Sequence, residues 1–438
     1  MNGNGNRDGR LRNMFSGACV ACRPLRVPLL LISVGPRVPA CPALTPRLAM
    51  LSSTLVLAAV APPPLPTFGT VYLMRHCARS TFLPALYGGQ QPPYLANYSD
   101  GGNLPDWGAP PTLCTARGRK IIQGQGRSLR SDVLARMGPH RRIKAIYDAG
   151  SRRDNTTAED FLTGLGLAAV KRLGEAGVFD SPWCPRLSSE AKERAVLAQL
   201  GAVRRPANYE ARLEALQAIL GKGEAKPIQS IPDTVAGGPV GWLGGSFVAS
   251  TWIETMLLQQ GAGLPMGYGR VDAATLYDLL ELHVYYRAIA CRGVAIEQRG
   301  ESNLLAHMLR DLEANQMGVS LYVGHDTNLD GVSALLDLAW PTAPPYPANT
   351  TVPGGTLRLT RMAGSVVCAS FLYTTFGDAE GSMSAVDAIF PGGKSCIPLA
   401  QLSDLVKHAV DKRCVRLPKT ATAEEETAAA AVAAAEGL

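Results

Sequence analysis

A short apolar segment that ends in basic side chains constrains this chain more than any other feature. Residues 71–79 read Val-Tyr-Leu-Met-Arg-His-Cys-Ala-Arg. The first residues suit a buried strand, whereas Arg75, His76 and Arg79 do not, unless they project from its end into a site. Arginine forks bind tetrahedral oxyanions, and histidine can act as a covalent nucleophile. The segment therefore indicates phosphoryl transfer, although basic residues after a strand are often simply solvated.

A second segment far downstream has the same organisation. Residues 320–329 begin as a β-prone run, which is followed by a glycine, by His325 and Asp326, and by a predicted helix over 329–338. Ligand groups gather at the carboxyl ends of strands in open α/β sheets. Two adjacent strands would therefore place His76 and His325 on one phosphate. Asp326 would then stand where the leaving oxygen needs a proton.

A third segment, residues 148–157, follows the strand-like residues 143–147 and precedes a predicted helix over 157–167. We expect Arg153 to lie about one turn before that helix, whose N-terminus also favours anions. Arg152 and Arg153 could equally be solvated turn residues. Beside the other two segments, we assign Arg153 to the site and regard Arg152 as the less suited of the pair.

These three segments resemble the motifs of the histidine acid phosphatases, whose first motif reads Arg-His-Gly-x-Arg-x-Pro and whose second is a His-Asp pair. The resemblance is greatest to the bacterial phytase and glucose-1-phosphatase branch and extends over about residues 70–414. It implies that His76 is a nucleophile that forms a phosphohistidine and that Asp326 protonates the leaving alcohol, with no metal and no other cofactor. The residues implied to bind the phosphate oxygens are Arg75, Arg79, Arg153 and His325.

Departures from the motif bear on the substrate. Cys77 replaces the glycine and Thr81 the proline. We interpret Cys77 as a small buried side chain, although an exposed thiol there could be oxidised, and Thr81 as a hydroxyl donor to phosphate. Phe82-Leu83 stand where the phytases carry a Thr-Lys pair, which disfavours phytate, whereas Thr327 resembles the phytase form of the second motif. We predict a hydrolase of phosphomonoesters, with phytate and sugar phosphates as candidate substrates.

Other functions stay open at this stage. A phosphotransferase or mutase of the same superfamily would share the Arg-His start, but the His-Asp segment and a large helical insert favour hydrolysis. A non-catalytic homologue that binds a phosphorylated ligand is supported only by Cys77 and Thr81. The net charge of +7 could indicate nucleic-acid binding, but the basic residues are scattered along the chain and form no stripe interleaved with aromatic residues. We therefore predict a small-molecule phosphomonoester as the partner, no nucleic acid, and no particular oligomeric state.

The order of the predicted elements indicates an α/β fold with a doubly wound, mostly parallel sheet of the phosphoglycerate-mutase-like type. We expect residues 66–160 and 315–415 to form this catalytic domain and residues 161–314 to form an inserted, mainly helical domain, with the site in the cleft between them. Glu254 and Arg299 could reach that cleft, but we interpret both as residues of solvated faces. Helical periodicity in the insert occurs at 168–173, 188–201, 209–220, 247–260, 273–286 and 303–316.

The chain ends differ from the middle in composition. Residues 1–65 are predicted to be a targeting or disordered segment with a Pro-rich linker, and 416–438 a low-complexity tail. The apolar run 48–61 ends in Ala-x-Ala like a signal peptide, so either Met1 or Met50 could be the start. We expect an extracytoplasmic location, with an organelle transit peptide as the alternative. No later stretch is apolar and long enough to predict a membrane span.

The ten cysteines suit an oxidising compartment better than a reducing cytosol. The resemblance implies one long-range disulfide between Cys184 and Cys414. Cys368 lies in an apolar, strand-like run, and we interpret it as a buried thiol. The Cys19-x-x-Cys22 pair has no second pair that would complete a zinc site.

Overall fold

The computed structural model describes residues 67–81, 98–100, 105–138, 142–222, 227–231, 244–314, 317–342, 344–377 and 380–417. All of them belong to one compact unit, Pro63–Leu438. The predicted targeting segment, the C-terminal tail from residue 418 onwards and the Phe82-Leu83 pair lie outside the described residues. Within the described ranges, no helix combines the length and the apolar character that crossing a bilayer requires.

One mixed sheet forms the centre of the fold. Its strands are β1 (Thr67–Arg75), β2 (Ile143–Tyr147), β3 (Arg172–Gly174), β4 (Val319–Gly324), β5 (Thr356–Met362), β6 (Val366–Tyr373), β7 (Ser384–Asp387) and β8 (Cys396–Pro398). The spatial order is β3-β2-β4-β1-β5-β6-β7, and β8 pairs with β6. The four strands from β3 to β1 run parallel, whereas β5 to β8 extend the sheet by antiparallel pairing. The predicted α/β class with a largely parallel core is confirmed.

Helices account for most of the remaining described chain. They are α1 (Ala116–Arg136), α2 (Arg152–Leu165), α3 (Ala176–Phe179), α4 (Ser189–Ala202), α5 (Tyr209–Leu220), α6 (Gly244–Ala262), α7 (Ala273–Ala290), α8 (Val294–Gly300), α9 (Ser302–Glu313), α10 (Asp326–Leu336) and α11 (Leu399–Ala409). Five of the six helices predicted between 161 and 314 are present, as α4, α5, α6, α7 and α9. The division of the chain into a catalytic and an inserted domain stays a prediction.

The helix predicted over 168–173 is wrong. Arg172–Gly174 instead form β3, which pairs in parallel with the end of β2. The edge of the sheet offers this short run a row of backbone hydrogen bonds, and tertiary context of this kind overrides weak local helix propensity.

Side chains that alternate along β1 show that the sheet is covered on both faces. Val71 and Leu73 belong to one hydrophobic cluster, whereas Tyr72 and Met74 belong to another. Successive side chains of a strand point to opposite faces. The first cluster contains residues of α6, α7, α9 and α10, and the second contains residues of α1 and α2. The helices are therefore wound on both sides of the parallel strands.

The three predicted site segments follow three neighbouring strands that end at nearly the same level. Arg75 of β1 is paired with Gly324 of β4, and Tyr147 of β2 is paired with Val323 of β4. Because the strands are parallel, their carboxyl ends lie at one edge of the sheet. The three segments that follow β1, β2 and β4 therefore begin close together at this edge, which is where ligands bind in open α/β sheets.

Three disulfides occur in the described residues: Cys77–Cys114, Cys184–Cys414 and Cys368–Cys396. The second is the pair that the resemblance implied. The interpretation of Cys368 as a thiol is wrong, because the pairing of β6 with β8 places it directly opposite Cys396. Cys77 is fully buried as expected, but it is a half-cystine and not a lone small side chain.

Candidate active site

His76 stands at the end of β1 with its ring almost completely buried, at 2% exposure. Its Nδ1 lies 2.9 Å from the carbonyl oxygen of Cys77. A carbonyl oxygen only accepts hydrogen bonds, so we assign the ring proton to Nδ1 and the lone pair to Nε2. Burial, reinforced by the charges of neighbouring arginines, holds the pKa of His76 well below its ordinary value. The imidazole is therefore neutral, and its Nε2 is available as a nucleophile.

Arg75 is fully buried directly before the histidine. Its guanidinium donates to the backbone carbonyl of Thr351 and to the carboxylate of Glu254. A third contact brings Nη2 to 3.1 Å from Oδ2 of Asp326. A buried guanidinium needs such partners, because an unpaired charge inside a protein is costly. These contacts fix the position of Arg75 beneath the cleft.

Two further guanidiniums converge on the same place. Arg79 is 4% exposed, and its Nη1 donates to the carbonyl of Ser80 at 3.0 Å. Burial lowers the pKa of Arg79 to about 10, so it stays charged at neutral and acidic pH. Arg153 lies within the first turn of α2, not one turn before the helix as predicted, because α2 already begins at Arg152 after the extended Ser151. Arg152 itself is exposed.

His325 caps the N-terminus of α10 and is held from several sides. Its backbone N–H donates to Oδ1 of Asn328 at 2.7 Å. Its Nε2 lies 3.2 Å from Oδ2 of Asp148 and 3.4 Å from Oδ2 of Asp154, and its Nδ1 lies 3.2 Å from Nη2 of Arg153. Since carboxylates accept and guanidiniums donate, these contacts place a ring proton on Nε2.

The two histidines lie side by side because their strands are in register. The backbone N–H of His76 donates to the carbonyl of Gly324 at 2.9 Å. The ring centroids of His76 and His325 are 5.5 Å apart, with the rings inclined at 71°. A side chain at position 324 would collide with the Asn328 amide, so this close approach of β4 to α10 requires glycine.

Asp326 is the first residue of α10, and each of its carboxylate oxygens faces an arginine. Oδ2 lies 3.1 Å from Arg75, and Oδ1 lies 3.4 Å from Nη2 of Arg287. Burial opposes ionisation of Asp326, but the charges of Arg287 and Arg75 outweigh it and hold the pKa of this carboxyl well below its ordinary range. In the absence of a bound anion, Asp326 is therefore a carboxylate.

A cleft of about 350 Å³ opens above these residues. Five of the predicted site residues line it, namely His76, Arg79, Arg153, His325 and Asp326. Thr327 also lines the cleft and is exposed at its rim. Thr81 is buried, at 5% exposure, and is not among the residues that line it. Arg75 is also not among the lining residues, but it contacts Asp326 and Glu254, which are. The sequence-based set therefore converges on one cleft and its immediate support, except for Thr81.

The other wall of the cleft comes from α6 and α7, and the sequence analysis missed it. The interpretation of Glu254 as a solvated residue is wrong, because this residue of α6 accepts a hydrogen bond from Arg75. Its Oε2 lies 3.6 Å from Nε2 of His283, a buried residue of α7. Nearly all sides of α6 carry buried residues, so periodicity gave no sign of a face directed at the site. Arg299 pairs with Asp411 and does not line the cleft.

Asp154 belongs to a group of three residues whose ligand atoms are close enough together to hold a metal ion. One ligand atom each from His76, Asp154 and His325 lie within 4.8 Å of one another. Burial raises the pKa of Asp154 to about 6. The guanidiniums around the same cleft, however, create a positive potential that disfavours a cation and favours an anion.

The fold of this chain is similar to that of several solved structures. No protein-family model and no curated protein matches the sequence. Among solved structures, the phytase of Hafnia alvei in its apo form superposes with a TM-score of 0.70 at 23% identity, covering 82% of this chain and 100% of that chain. The phytase of Citrobacter braakii gives a TM-score of 0.68 at 22% identity, covering 80% and 100%. The phytase of Klebsiella sp. ASR1 gives 0.69 at 19% identity, covering 81% and 99%. The chain therefore has the fold of these phytases.

Proposed function

We propose that this protein is an acid phosphatase that hydrolyses phosphomonoesters through a phosphohistidine at His76. The observation that carries the proposal is a neutral, buried imidazole that lines a cleft together with arginine side chains and the carboxylate of Asp326. Arg75, Arg79 and Arg153 would offset the charge of a phosphate dianion and hold it in line with the imidazole.

The reaction would proceed in two displacements. In the first, Nε2 of His76 forms a bond to phosphorus while the bond to the leaving oxygen breaks, and Asp326 gives that oxygen its proton. In the second, water attacks phosphorus, the nitrogen–phosphorus bond breaks, and the proton of the water returns to the Asp326 carboxylate. Such positioned proton transfer contributes roughly 10²–10⁴-fold to the rate. No step in this scheme needs a metal ion.

The bound phosphate would itself help to protonate Asp326. Arg75 holds Asp326 in the ligand-free site, and a phosphate dianion would pair with that guanidinium and repel the carboxylate. Both effects raise the pKa of Asp326 in the substrate complex. Protonation of a carboxyl group is easier in acid, so the proposal includes an acidic optimum for kcat.

For the substrate, we propose a phosphomonoester with phytate as a candidate. One structure of the Hafnia alvei phytase, with a TM-score of 0.69 at 23% identity, is a complex with myo-inositol hexakis sulphate. Thr327 lies at the rim, where it could contact a leaving group. The burial of Thr81 outside the cleft lining gives less support to its proposed contact with substrate. The three disulfides support an oxidising, extracytoplasmic compartment.

The test is release of phosphate from p-nitrophenyl phosphate and from phytate at pH about 5, where a carboxyl acid is still partly protonated. Wild-type protein should release phosphate, and His76→Ala should release none above background. Arg153→Ala should lose most of the activity, whereas the neighbouring Arg152→Ala should retain it because Arg152 is exposed.

Three outcomes are distinguishable. Release from both substrates supports a phytase-capable phosphatase. Release from p-nitrophenyl phosphate alone excludes phytate as a substrate. If folded wild-type protein releases nothing from either ester but binds inorganic phosphate, the hydrolase proposal is wrong and the non-catalytic binding protein is the better account.

A further inference from the structure

A further arginine, Arg287 of α7, lines the cleft beside the proposed proton donor, and none of the steps above uses it. Its side chain is 12% exposed, and its Nη2 lies 3.4 Å from Oδ1 of Asp326. Its Nε donates to Oδ2 of Asp330 at 2.7 Å. Asp330 lies one turn beyond Asp326 on α10 and is 1% exposed. One buried carboxylate thus anchors the guanidinium that reaches the proposed acid.

We propose that Asp330 and Arg287 form a positioning pair that controls the protonation of Asp326 in the substrate complex and so sets the alkaline limit of the reaction. This inference rests on the proposed phosphatase function. It assigns no contact with the reacting atoms to either residue.

Arg287 and Arg75 contact different oxygens of the Asp326 carboxylate and would respond differently to a bound phosphate. Arg75 contacts Oδ2 from beneath the cleft, where it would be drawn to a bound phosphate. Arg287 contacts the opposite oxygen and is tied to Asp330 from behind. A fixed positive charge favours the ionised form of a nearby carboxyl. When substrate neutralises Arg75, the charge of Arg287 still opposes protonation of Asp326.

Other charged and titratable groups face Asp326 and have to be weighed. Those that the elements around it contribute are Arg75, His76 and Arg79 after β1, Arg153 of α2, Glu254 of α6, His283 of α7, Cys291 at the end of α7, and His325 before α10. The arginines after β1 and on α2 are the proposed phosphate ligands, and Glu254 is paired with Arg75. Because the dianion offsets the ligands, Arg287 becomes the main remaining cation next to the acid.

The experiment compares the pH dependence of kcat for glycerol 2-phosphate, an ester whose alkoxide leaving group needs a proton, in four full-length proteins. They are wild type, Arg287→Gln, Arg287→Lys and the control Arg292→Gln. Loss of the positive charge raises the pKa of Asp326, so the alkaline limb of Arg287→Gln should move to higher pH by about one unit, which is about tenfold more relative activity on that limb. Lysine keeps the charge and should leave the limb near its wild-type position.

Arg292 is a matched control because it also approaches Asp330, with Nε at 3.6 Å from Oδ1, yet it does not line the cleft. Its replacement should leave the alkaline limb in place. A purely structural role for Arg287 would lower kcat at every pH without moving the limb. If the pH profile of kcat for Arg287→Gln superimposes on the wild-type profile after both are scaled to their maxima, the proposal is overturned.

Two further measurements keep the test decisive. If Arg287→Gln does not fold because Asp330 is left buried, the double variant Arg287→Gln/Asp330→Asn removes both charges together and should shift the limb in the same direction. Carboxyl NMR titration of Asp326 in ligand-free protein needs no activity. A wild-type protein without activity refutes the phosphatase proposal, whereas an unchanged Asp326 titration in Arg287→Gln refutes the positioning pair.

Discussion

Replacing Cys77 and Cys114 together by alanine should weaken both the fold and the site. This disulfide joins positions 37 residues apart in the sequence. Chain-entropy arguments for a loop of that length give a loss of about 4 kcal/mol in the free energy of unfolding, as an upper estimate for a disulfide without strain. Urea unfolding of the variant and of wild type measures this loss directly.

The same change should also lower kcat, because Cys77 holds the nucleophile. Its carbonyl accepts the hydrogen bond from Nδ1 of His76, and its backbone N–H donates to Oγ1 of Thr157 at 3.0 Å. Its disulfide partner forms a backbone bridge with Arg79. A small displacement of the reacting groups can cost on the order of 10²-fold in rate. We expect kcat to fall by about ten- to a hundredfold with a folded protein at 25 °C.

The Cys184–Cys414 pair provides the control. Its separation of 230 residues predicts a loss of about 5 kcal/mol on the same argument, but neither cysteine lines the cleft. Cys184→Ala/Cys414→Ala should therefore be at least as destabilised as the first variant and yet keep its kcat. If the first variant keeps wild-type kcat, or if both variants lose activity equally, the reasoning that Cys77 fixes the nucleophile is wrong.

Three further changes test separate parts of the account. Arg153→Lys loses the planar fork, so kcat/KM should fall by about ten- to a hundredfold, whereas Arg152→Lys should be unchanged; steady-state kinetics decides. Glu254→Gln removes a negative charge beside Arg75, so inorganic phosphate should inhibit at roughly tenfold lower concentration, and an unchanged inhibition constant would contradict this. Burial raises the pKa of Glu301 from 4.5 to about 8, so its protonated form stabilises the fold at low pH and that stability is lost as pH rises towards 8. Between pH 4 and 8, the free energy of unfolding of Glu301→Gln should therefore rise relative to that of wild type by up to about 5 kcal/mol. If the free energies of the two proteins depend on pH in the same way, the raised pKa of Glu301 is refuted.

The part of the site that follows strands could be predicted from the sequence. Arg75, His76, His325 and Asp326 each stand directly after an apolar run, and parallel strands bring their carboxyl ends together whatever the intervening chain does. The same argument places Arg153 in the site, although its helix begins at Arg152 and not near residue 157 as predicted. Local sequence and sheet geometry are sufficient in these cases.

The part of the site that comes from helices could not be predicted. Glu254 and Arg287 lie on α6 and α7, which residues 263–272 connect and which long stretches of chain separate from β1 and β4. Which residues of such helices face the cleft depends on tertiary packing. Buried residues occupy almost every side of α6, so its sequence does not mark one face. The partners of Cys77 and Cys368 depend in the same way on contacts between segments distant in sequence.

The most direct test of the central claim is detection of a phosphoryl group on His76. Asp326→Asn should be mixed with p-nitrophenyl phosphate, whose leaving group needs little protonation, and quenched in alkali, where phosphohistidine survives. Without the carboxylate to activate water, the phosphoenzyme should accumulate. Peptide mass spectrometry should then find the phosphoryl group on His76, and none in His76→Ala. Turnover by wild type with the label on another residue, or with no covalent label under these conditions, would contradict the account.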